Sequence, residues 1–343
     1  MQHHNRVLVT GGGGYIGSHT AWLLKESGYT PIIVDSLVNG YRWAAASFGF
    51  FEEGDIGDNE FIRRLCHKYE PSALMHFAAF IEVNESVRNP QKYFTNNFDK
   101  ARVLFDTVRE CGIRDVVFSS SAAVYGAGQA LAPIKEDAPL QPVNPYGESK
   151  VRAEAYLRAT GMRSVSLRYF NVAGAAPVSV GIGEAHFPES HLLPRVILSA
   201  VGIDPQVLKA LELSRSVSIF GTDYPTEDGT SVRDYTHVID LAKAHILALQ
   251  YLAKGGETDI FNLGSKKGYS VRDVIKTAEE ILGRRIPVTE EPRRAGDPPY
   301  LIADSSKAEK ILGWKRQFGL EEMIESGCDW HKSMQYKQAI LSR

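Results

Sequence analysis

The chain has 343 residues, which is enough for two domains or for one large α/β domain with an appendage. Its 43% hydrophobic and 23% charged residues are ordinary for a globular protein, and a formal net charge of −2 argues against nucleic acid or an acidic membrane as the main partner. The cysteines Cys66, Cys111 and Cys328 are scattered, so we expect a reducing, cytoplasmic location, no disulfide framework and no metal site. No apolar run approaches the roughly 18 residues of a membrane span.

Short apolar runs alternate with helical periodicity in the first half of the chain. Residues 6–11 predict a buried strand that stops at glycines, 15–28 predict a helix, and 31–36 predict a second strand. Further strands are predicted at 72–78, 114–121 and 164–171, and further helices at 58–69, 90–111 and 146–160. This alternation predicts an α/β fold of the Rossmann type, built on a doubly wound parallel sheet.

The pattern changes after Asn171. Residues 173–191 are rich in Gly, Ala and Pro and predict a long loop over a site. Beyond it the periodicity predicts helices near 192–202, 203–215, 239–253 and 270–283, and strands at 216–221 and 261–265. We expect the strand at 261–265 to return to the first sheet.

A glycine-rich stretch, TGGGGYIG (10–17), lies between the first strand and the first helix. Gly11, Gly14 and Gly17 permit a tight turn and let backbone amides approach a pyrophosphate, whose charge the helix N-terminus favours. Asp35 ends the next strand at about the expected spacing of ~20 residues. A carboxylate there accepts hydrogen bonds from ribose hydroxyls and repels a 2′-phosphate, so we predict NAD rather than NADP. A strand-end cap is the alternative role for Asp35.

The short motif GDI (54–56) follows another candidate strand. Asp55 can reach the adenine amino group, with Ile56 against the adenine ring. A plain turn aspartate fits this motif equally well.

The stretch NPYGESK (144–150) places a tyrosine four residues before a lysine at the start of a helix. Asn144 is a good N-cap, and Tyr146 and Lys150 then share one helical face. A nearby cation favours the phenolate form of a tyrosine, whose ordinary pKa of about 10 is too high for a base near neutrality. Ser121 ends the strand 114–121, at the edge where such sheets bind ligands. Together Ser121, Tyr146 and Lys150 predict hydride transfer from a secondary alcohol.

Longer motifs around these residues resemble those of one family, the UDP-galactose (UDP-glucose) 4-epimerases within the extended short-chain dehydrogenases/reductases. These motifs are GYIGSH (14–19), EGDI (53–56), HFAA (76–79), SSSAAVYG (119–126), NPYGESK (144–150), LRYFNVAGA (167–175), IFGTDYPTEDGTSVRDYTHV (219–238) and RRAGDPP (293–299). The resemblance runs from about residue 5 to about residue 330. It implies tightly held NAD, a UDP-sugar substrate, and removal of the sugar 4-hydroxyl proton by Tyr146 to give a transient 4-keto sugar.

The resemblance also implies further site residues by position. The implied cofactor contacts, besides Lys150, are Tyr15, Ile16, Asn39, Phe77, Ala78, Asn96 and Phe170. The implied substrate contacts, besides Ser121 and Tyr146, are Asn171, Leu192, Arg233, Arg294, Asp297 and Leu301. Two arginines suit diphosphate oxygens, because guanidinium forms forked, charge-assisted hydrogen bonds.

Several positions differ from many members of that family, and two of them concern the substrate. Leu301 stands where some members carry tyrosine and reject 2-acetamido sugars, so we hypothesise that UDP-GlcNAc and UDP-GalNAc are accepted as well. His191 stands where others carry asparagine, which implies a different contact on the uridine or sugar side, although a loop histidine packed on its own backbone fits too.

Alternative functions remain open at this point. A UDP-pentose or UDP-uronate 4-epimerase would use the same chemistry, whereas a dehydratase would need an acidic residue where Ala122 and Ala123 stand. A non-catalytic NAD(H)-binding module would be expected to lack part of the Ser–Tyr–Lys set.

We expect residues 1–171, with strands and helices returning from 217–265, to bind NAD and 172–343 to bind the UDP-sugar. The resemblance further implies a homodimer, paired through the helices 90–111 and 146–160.

Overall fold

A computed structural model describes residues 5–126, 133–202, 204–294 and 297–342. The first residue of the predicted helix 203–215 and residues 295 and 296 of the RRAGDPP stretch lie outside that description. The strands are β1 (Arg6–Thr10), β2 (Thr30–Asp35), β3 (Phe50–Glu53), β4 (Ala73–His76), β5 (Asp115–Ser119), β6 (Arg163–Tyr169), β7 (Asn171–Ala173), β8 (Val217–Phe220), β9 (Val232–Arg233), β10 (Tyr235–His237), β11 (Asp259–Leu263), β12 (Tyr269–Ser270), β13 (Val288–Glu291) and β14 (Tyr300–Leu301).

The helices largely follow the predicted stretches. They are α1 (Tyr15–Glu26), α2 (Arg42–Ala46), α3 (Asn59–Tyr69), α4 (Val83–Arg88), α5 (Pro90–Phe94), α6 (Lys100–Glu110), α7 (Pro145–Ala159), α8 (Leu192–Ala200), α9 (Pro205–Ala210), α10 (Val238–Ala253), α11 (Val271–Leu282), α12 (Ser306–Leu312), α13 (Leu320–Lys332) and α14 (Met334–Leu341).

One predicted helix is divided in the structure. The stretch 90–111 contains α5, a turn of π-helix at Thr95–Asp99, and then α6. The side chain of Asn97 bonds to the backbone of Phe80 through both its oxygen (2.8 Å) and its nitrogen (2.9 Å). These long-range bonds accompany a local widening of the helix, a feature that periodicity does not show.

A seven-stranded parallel sheet forms the centre of the fold, in the order β11-β6-β5-β4-β1-β2-β3. Strand β11 pairs with β6, so the predicted return of the 261–265 region to the first sheet is confirmed. Most sheet strands are apolar throughout because helices cover both faces. Side chains of α1 and α10 pack on one face and those of α3, α6 and α7 on the other. The predicted Rossmann-type parallel sheet is confirmed.

The order of the sheet reverses between β1 and β4, since the chain builds outward from β1 in both directions. Such a reversal leaves a crevice at the carboxyl ends of the two strands, where open α/β sheets bind ligands. The loops that follow β1 and β4 begin at Gly11 and Phe77. Both belong to the predicted cofactor set.

A further hydrophobic core lies among residues that follow β7. It joins α8, α9, α11, α13 and α14 to β8, with Tyr41 and Trp43 packed against it from the first half of the chain. Small sheets, β12-β9-β14 and β13-β8, connect this part. Among the described residues, no helix is both long and apolar enough to span a membrane.

Candidate active site

A cavity of about 640 Å³ opens at the crevice between β1 and β4. This volume is typical of a site for a cofactor or small ligand. Every predicted cofactor residue except Phe170 lines it; these are Gly11, Gly14, Tyr15, Ile16, Gly17, Asp35, Asn39, Asp55, Ile56, Phe77, Ala78, Asn96 and Lys150. Residues separated by more than a hundred positions therefore meet around one space.

Close packing requires glycine at two positions of the turn after β1. A Cβ atom on Gly11, whose φ is +76°, would lie 2.5 Å from the backbone nitrogen of Ala78. A Cβ atom on Gly17 would lie 2.2 Å from the carbonyl oxygen of Gly11. The turn is therefore tight enough for α1 to begin directly beneath the cavity, as a phosphate cradle requires.

The carboxylate of Asp35 supports this turn from β2. It accepts hydrogen bonds from the backbone N–H groups of Gly13 (2.9 Å) and Leu37 (2.8 Å). Burial raises the pKa of Asp35, and these two donors oppose the shift. Asp35 thus has the strand-end capping role that the sequence left open, and it also lines the cavity, where carboxylate lone pairs can accept ribose hydroxyls.

Asp55 lies at the same wall and forms an ion pair with Lys100, a lining residue that the sequence analysis did not single out. It also accepts a hydrogen bond from the backbone of Gly57 at 2.8 Å. This is the geometry of a turn aspartate, held beside Ile56 at the cavity wall. Both sequence-derived roles of Asp55 are therefore compatible with its position.

The helix α7 brings Tyr146 and Lys150 to the cavity. It begins as predicted, with Asn144 accepting a hydrogen bond from the backbone of Gly147 at 2.8 Å and proline at the first helical position. The Nζ atom of Lys150 lies 5.9 Å from the centre of the Tyr146 ring and donates to the carbonyl oxygen of Ser119 at 2.9 Å. The predicted pair is therefore assembled, with the ammonium anchored on β5.

Ser121 completes this group from the turn after β5. Its side chain hydrogen-bonds to Tyr146 and also accepts from the backbone of Ala123 at 3.1 Å. Burial raises the pKa of Tyr146, and the Ser121 hydrogen bond opposes that shift. Burial lowers the pKa of Lys150 to about 8, with the charge of Glu154 opposing. The protein alone thus favours a neutral phenol, and an added positive charge in the cavity would favour the phenolate.

A buried network stabilises the floor beneath these residues. Arg168 on β6 donates to Glu154 on α7 at 2.9 Å and to the hydroxyl of Tyr125 at 2.9 Å. The hydroxyl of Ser120 donates to the same carboxylate of Glu154. Glu154 and Arg168 are both buried, so their charges compensate each other inside the fold. The network connects α7 to the strand end that carries Ser121.

The implied substrate residues form a second group. Arg233 on β9 and Asp297 form an ion pair at 2.6 Å, and Leu301 on β14 is the register partner of Arg233. The guanidinium of Arg294 lies 3.8 Å from the centre of the Phe220 ring. These groups lie outside the lining of the large cavity.

The charges of this second group favour an anion. Partial burial lowers the pKa of Arg294, Asp297 opposes that shift, and the neighbouring cations Arg195 and Arg233 add to it. Among the groups that act on Arg294, two guanidinium groups stand against the one carboxylate of Asp297, which is already paired with Arg233. A diphosphate would supply the missing negative charge.

The remaining predicted residues have mainly structural contacts in this fold. Asn171 donates to the carbonyl oxygen of Asp234 at 3.1 Å, and Leu192 begins α8. Phe170 does not line the cavity; it is buried beside the turn that follows Ser121, in a cluster against which Leu301 also packs. This cluster joins the two groups of site residues.

Sequence reasoning missed other lining residues. Tyr169, at the end of β6, lines the cavity and shares a short hydrogen bond with Ser119. His186, from the loop between β7 and α8, also lines it. Tyr169 stands at a strand end and could have been recognised for that reason, whereas His186 lies in a long loop whose path no local pattern predicts.

The fold and the cavity are typical of a nucleotide-binding enzyme, and Ser121, Tyr146 and Lys150 lie together at the cavity wall. A model of the NAD dependent epimerase/dehydratase family matches residues 7–264, and the chain belongs to that family. It is 44% identical over 332 residues to a UDP-glucose 4-epimerase of Lacticaseibacillus casei, covering 95% of this chain and 97% of that relative. The resemblance seen in the sequence motifs is confirmed.

Solved structures agree with this assignment. A UDP-glucose 4-epimerase from Brucella ovis in complex with NAD superposes with a TM-score of 0.87 at 42% identity, covering 94% of this chain and 97% of that one. A UDP-Glc/GlcNAc 4-epimerase from Campylobacter jejuni superposes with a TM-score of 0.79 at 37% identity, covering 96% and 99%.

Proposed function

We propose that this protein is an NAD-dependent 4-epimerase that interconverts UDP-galactose and UDP-glucose. The observation that carries the proposal is the meeting of Ser121, Tyr146 and Lys150 at the wall of a dinucleotide-sized cavity, in a chain that matches such enzymes over nearly its whole length. The cavity fits NAD for two reasons. Positions 11 and 17 have no room for a Cβ atom, so the turn at the cavity edge stays tight and its backbone N–H groups can approach a pyrophosphate. The carboxylate of Asp35 disfavours a 2′-phosphate.

Each group of the Ser–Tyr–Lys set has a distinct task. Bound NAD supplies a reversible hydride acceptor with a positive charge. Tyr146 takes the proton of the sugar 4-hydroxyl at its phenolic oxygen and later returns it. Ser121 holds that oxygen through its hydrogen bond, and the Lys150 ammonium lowers the free energy of the phenolate. With NAD bound, the hydrogen on C4 would leave as hydride and would return to the opposite face after the 4-keto sugar has turned within the site, so that no net redox change would result.

The UDP-sugar is proposed to bind with its diphosphate against Arg233 and Arg294 and its sugar toward Tyr146. The unbalanced positive charge around Arg294 supports this placement, as does the cluster that joins Leu301 to the turn after Ser121. In this division residues 1–171, with the returning β11 and α10, bind NAD, and most of 172–343 binds the UDP-sugar.

A specific feature favours acceptance of N-acetylated sugars as well. Leu301 is a half-buried side chain between Arg233 on the neighbouring strand and the Phe170 cluster. Leucine leaves more space there than tyrosine would. The similar structure from Campylobacter jejuni, named for both UDP-Glc and UDP-GlcNAc, supports the same extension of the substrate range.

Two further properties are proposed, an oligomeric state and a cellular location. The predicted homodimer would pair α5, α6 and α7 of two chains, and the exposed Val83 and Val87 on α4 offer apolar surface beside α5. Light scattering of the purified protein tests the dimer. A cytoplasmic location is supported by the free thiols Cys66, Cys111 and Cys328, which suit a reducing compartment.

The function is tested by incubating the purified protein, without added cofactor, with UDP-galactose and separately with UDP-GalNAc, and resolving the products by chromatography. Conversion to UDP-glucose without added NAD would establish both a retained cofactor and 4-epimerisation. The variant Tyr146→Phe should bind NAD but convert neither substrate. If wild type with NAD supplied were inactive on both, UDP-pentoses and UDP-uronates would be tried next, and retained NAD with no epimerisation of any UDP-sugar would favour a non-catalytic module.

A further inference from the structure

Two glutamates and two histidines converge in the loop between β7 and α8. Glu184, His186, Glu189 and His191 each offer one ligand atom, and these four atoms all lie within 4.8 Å of one another. The scattered cysteines predict no metal site, whereas these four residues follow an E-x-H-x-x-E-x-H spacing. We propose that these four side chains bind a divalent transition-metal ion of the zinc type, which fastens this loop between the cofactor cavity and the substrate group.

The separations between the ligand atoms fit a coordination shell. The Nδ1 atom of His186 lies 2.8 Å from Oε1 of Glu184, and Nδ1 of His191 lies 3.2 Å from the same oxygen and 3.0 Å from Oε1 of Glu189. Ligands about 2.1 Å from a tetrahedral zinc ion are about 3.4 Å apart. An ion would therefore require each atom to move by less than about 1 Å. Imidazole nitrogen and carboxylate oxygen are both ordinary zinc ligands.

The charge of the cluster calls for a cation. Glu184 and Glu189 are both about 95% buried, and within the described part of the chain their ion pairs are with histidines alone. Two carboxylates withdrawn from water cost free energy unless positive charge or hydrogen-bond donors lie beside them. A divalent ion neutralises both carboxylates.

A neighbouring histidine adds an independent indication. The ring of His331 on α13 is buried, and its Nε2 atom has no hydrogen-bond partner among the described residues. His331 follows Trp330, whose indole N–H donates to the carbonyl oxygen of Glu184, so α13 passes beside the cluster. Buried nitrogen atoms without a partner are uncommon in folded proteins, and an ion or its bound water next to the cluster would supply one.

The backbone that carries the ligands is fixed before any ion binds. Trp330 donates from Nε1 to the carbonyl oxygen of Glu184 at 2.6 Å, and the hydroxyl of Tyr41 donates to that of Ala185 at 2.7 Å. Such anchoring reduces the ordering cost of metal binding. His186 faces the cofactor cavity beside Tyr15, with ring centres 6.3 Å apart, while His191 directly precedes α8. The ion would thus join the two halves of the site.

The proposal is tested by measuring metal binding directly, so its outcome does not depend on whether the proposed enzymatic activity is found. Protein treated with EDTA and desalted is titrated with Zn²⁺ by calorimetry, and with Co²⁺ while visible absorption is recorded. We expect one ion per chain and a d–d absorption band of low-symmetry coordination. We also expect proton release, because the hydrogen-bonded histidine nitrogens must lose their protons to bind a metal.

Variants locate the ion. Glu184→Gln and Glu189→Gln preserve shape and should each weaken Zn²⁺ binding by at least about tenfold, whereas the exposed Glu325→Gln should not. A variant in which His3 and His4 are replaced by asparagine removes the adjacent histidine pair at the N-terminus and should bind Zn²⁺ as wild type does. Circular dichroism verifies that each variant folds. If one of the two glutamate variants does not fold, the other still tests the site.

Three results would overturn the inference. The first is no saturable binding of Zn²⁺ or Co²⁺ by folded wild-type protein, which would mean that shared protons hold the cluster together. The second is wild-type affinity in both Glu184→Gln and Glu189→Gln. The third is loss of binding on replacing His3 and His4, which would place the ion at the N-terminus.

Discussion

Replacement of Lys150 by methionine isolates the electrostatic support of Tyr146. The Lys150 Nζ atom lies 5.9 Å from the centre of the Tyr146 ring. If the ring centre is taken as the centre of the phenolate charge, two unit charges about 6 Å apart interact by about 3 kcal/mol at an effective dielectric constant of about 20. This energy corresponds to about two pKa units, or about 100-fold in phenolate population. We therefore expect Lys150→Met to lower kcat by about 100-fold at pH 7.5.

The assay is 4-epimerisation of UDP-galactose at saturating substrate and with NAD supplied, since Lys150 also lines the cofactor cavity. The kcat of Lys150→Met should rise between pH 7 and 9, because hydroxide restores the phenolate that the lost cation no longer favours. Folding should be preserved, as burial already disfavours the ammonium. The exposed Arg152, two residues further along α7, provides the matched control Arg152→Met, which should keep wild-type kcat.

Two outcomes would refute this reasoning. A kcat within about fivefold of wild type, with NAD bound, would show that Lys150 does not set the phenol's protonation. A kcat reduced by 100-fold but independent of pH would show that Lys150 acts through geometry, for instance by holding Ser119, rather than through charge.

Other consequences follow from the same structure. Leu301→Tyr should abolish turnover of UDP-GalNAc while sparing UDP-galactose, measured as two kcat/KM values. Gly17→Ala would place a Cβ atom 2.2 Å from a carbonyl oxygen of the glycine turn, so the purified variant should retain at least tenfold less nucleotide, measured by release on denaturation. Glu154→Gln leaves Arg168 as an uncompensated buried charge and should lower the free energy of unfolding by about 3–5 kcal/mol in urea titrations. Burial lowers the pKa of Lys150 to about 8, whereas the unfolded chain keeps the ordinary higher value. Wild-type kcat should therefore fall as pH rises through 8, because Lys150 loses its charge. Above about pH 8 the unfolded chain binds more protons at this residue than the folded chain does, so this group should make the folded state more stable as pH rises.

Controls make these outcomes decisive. Gly202→Ala adds a Cβ atom into open space and should retain nucleotide as wild type does. Equal loss of both sugar activities in Leu301→Tyr would mean general disruption rather than a steric limit. A change below about 1 kcal/mol in Glu154→Gln would mean that water reaches Arg168. A wild-type kcat that is flat from pH 7.5 to 9.5 would contradict the lowered pKa of Lys150.

Local sequence patterns were sufficient for most elements of this fold. The helix predicted at 146–160 is Pro145–Ala159, because its N-cap, its proline and its periodicity all act within a few residues. Alternation of strand and helix indicated the parallel sheet, since each parallel strand needs a crossover connection. The glycine turn and Asp35 followed from the same unit. These features depend on neighbours in the chain, which the sequence displays directly.

The sequence did not show which groups finally interact. Lys150 donates a hydrogen bond to the carbonyl oxygen of Ser119, 31 positions away in the chain. The hydrogen bond to Tyr146 comes from Ser121 and not from Lys150. Burial, which only the assembled fold decides, is the main influence on the pKa of both Tyr146 and Lys150. Spacing could therefore predict the pair, while the direction of each pKa shift required the surroundings.

The loop between β7 and α8 marks the limit of sequence reasoning most clearly. Its composition indicated a loop, yet its path is set by Trp330, 146 residues away from Glu184, and by Tyr41, 144 residues away from Ala185. The residue types needed for nucleotide binding and for catalysis could thus be read from the chain alone. The convergence of two glutamates and two histidines, and the place of His186 at the cavity wall, were decided only by tertiary packing, because hydrogen bonds between distant segments leave no periodic trace in the sequence.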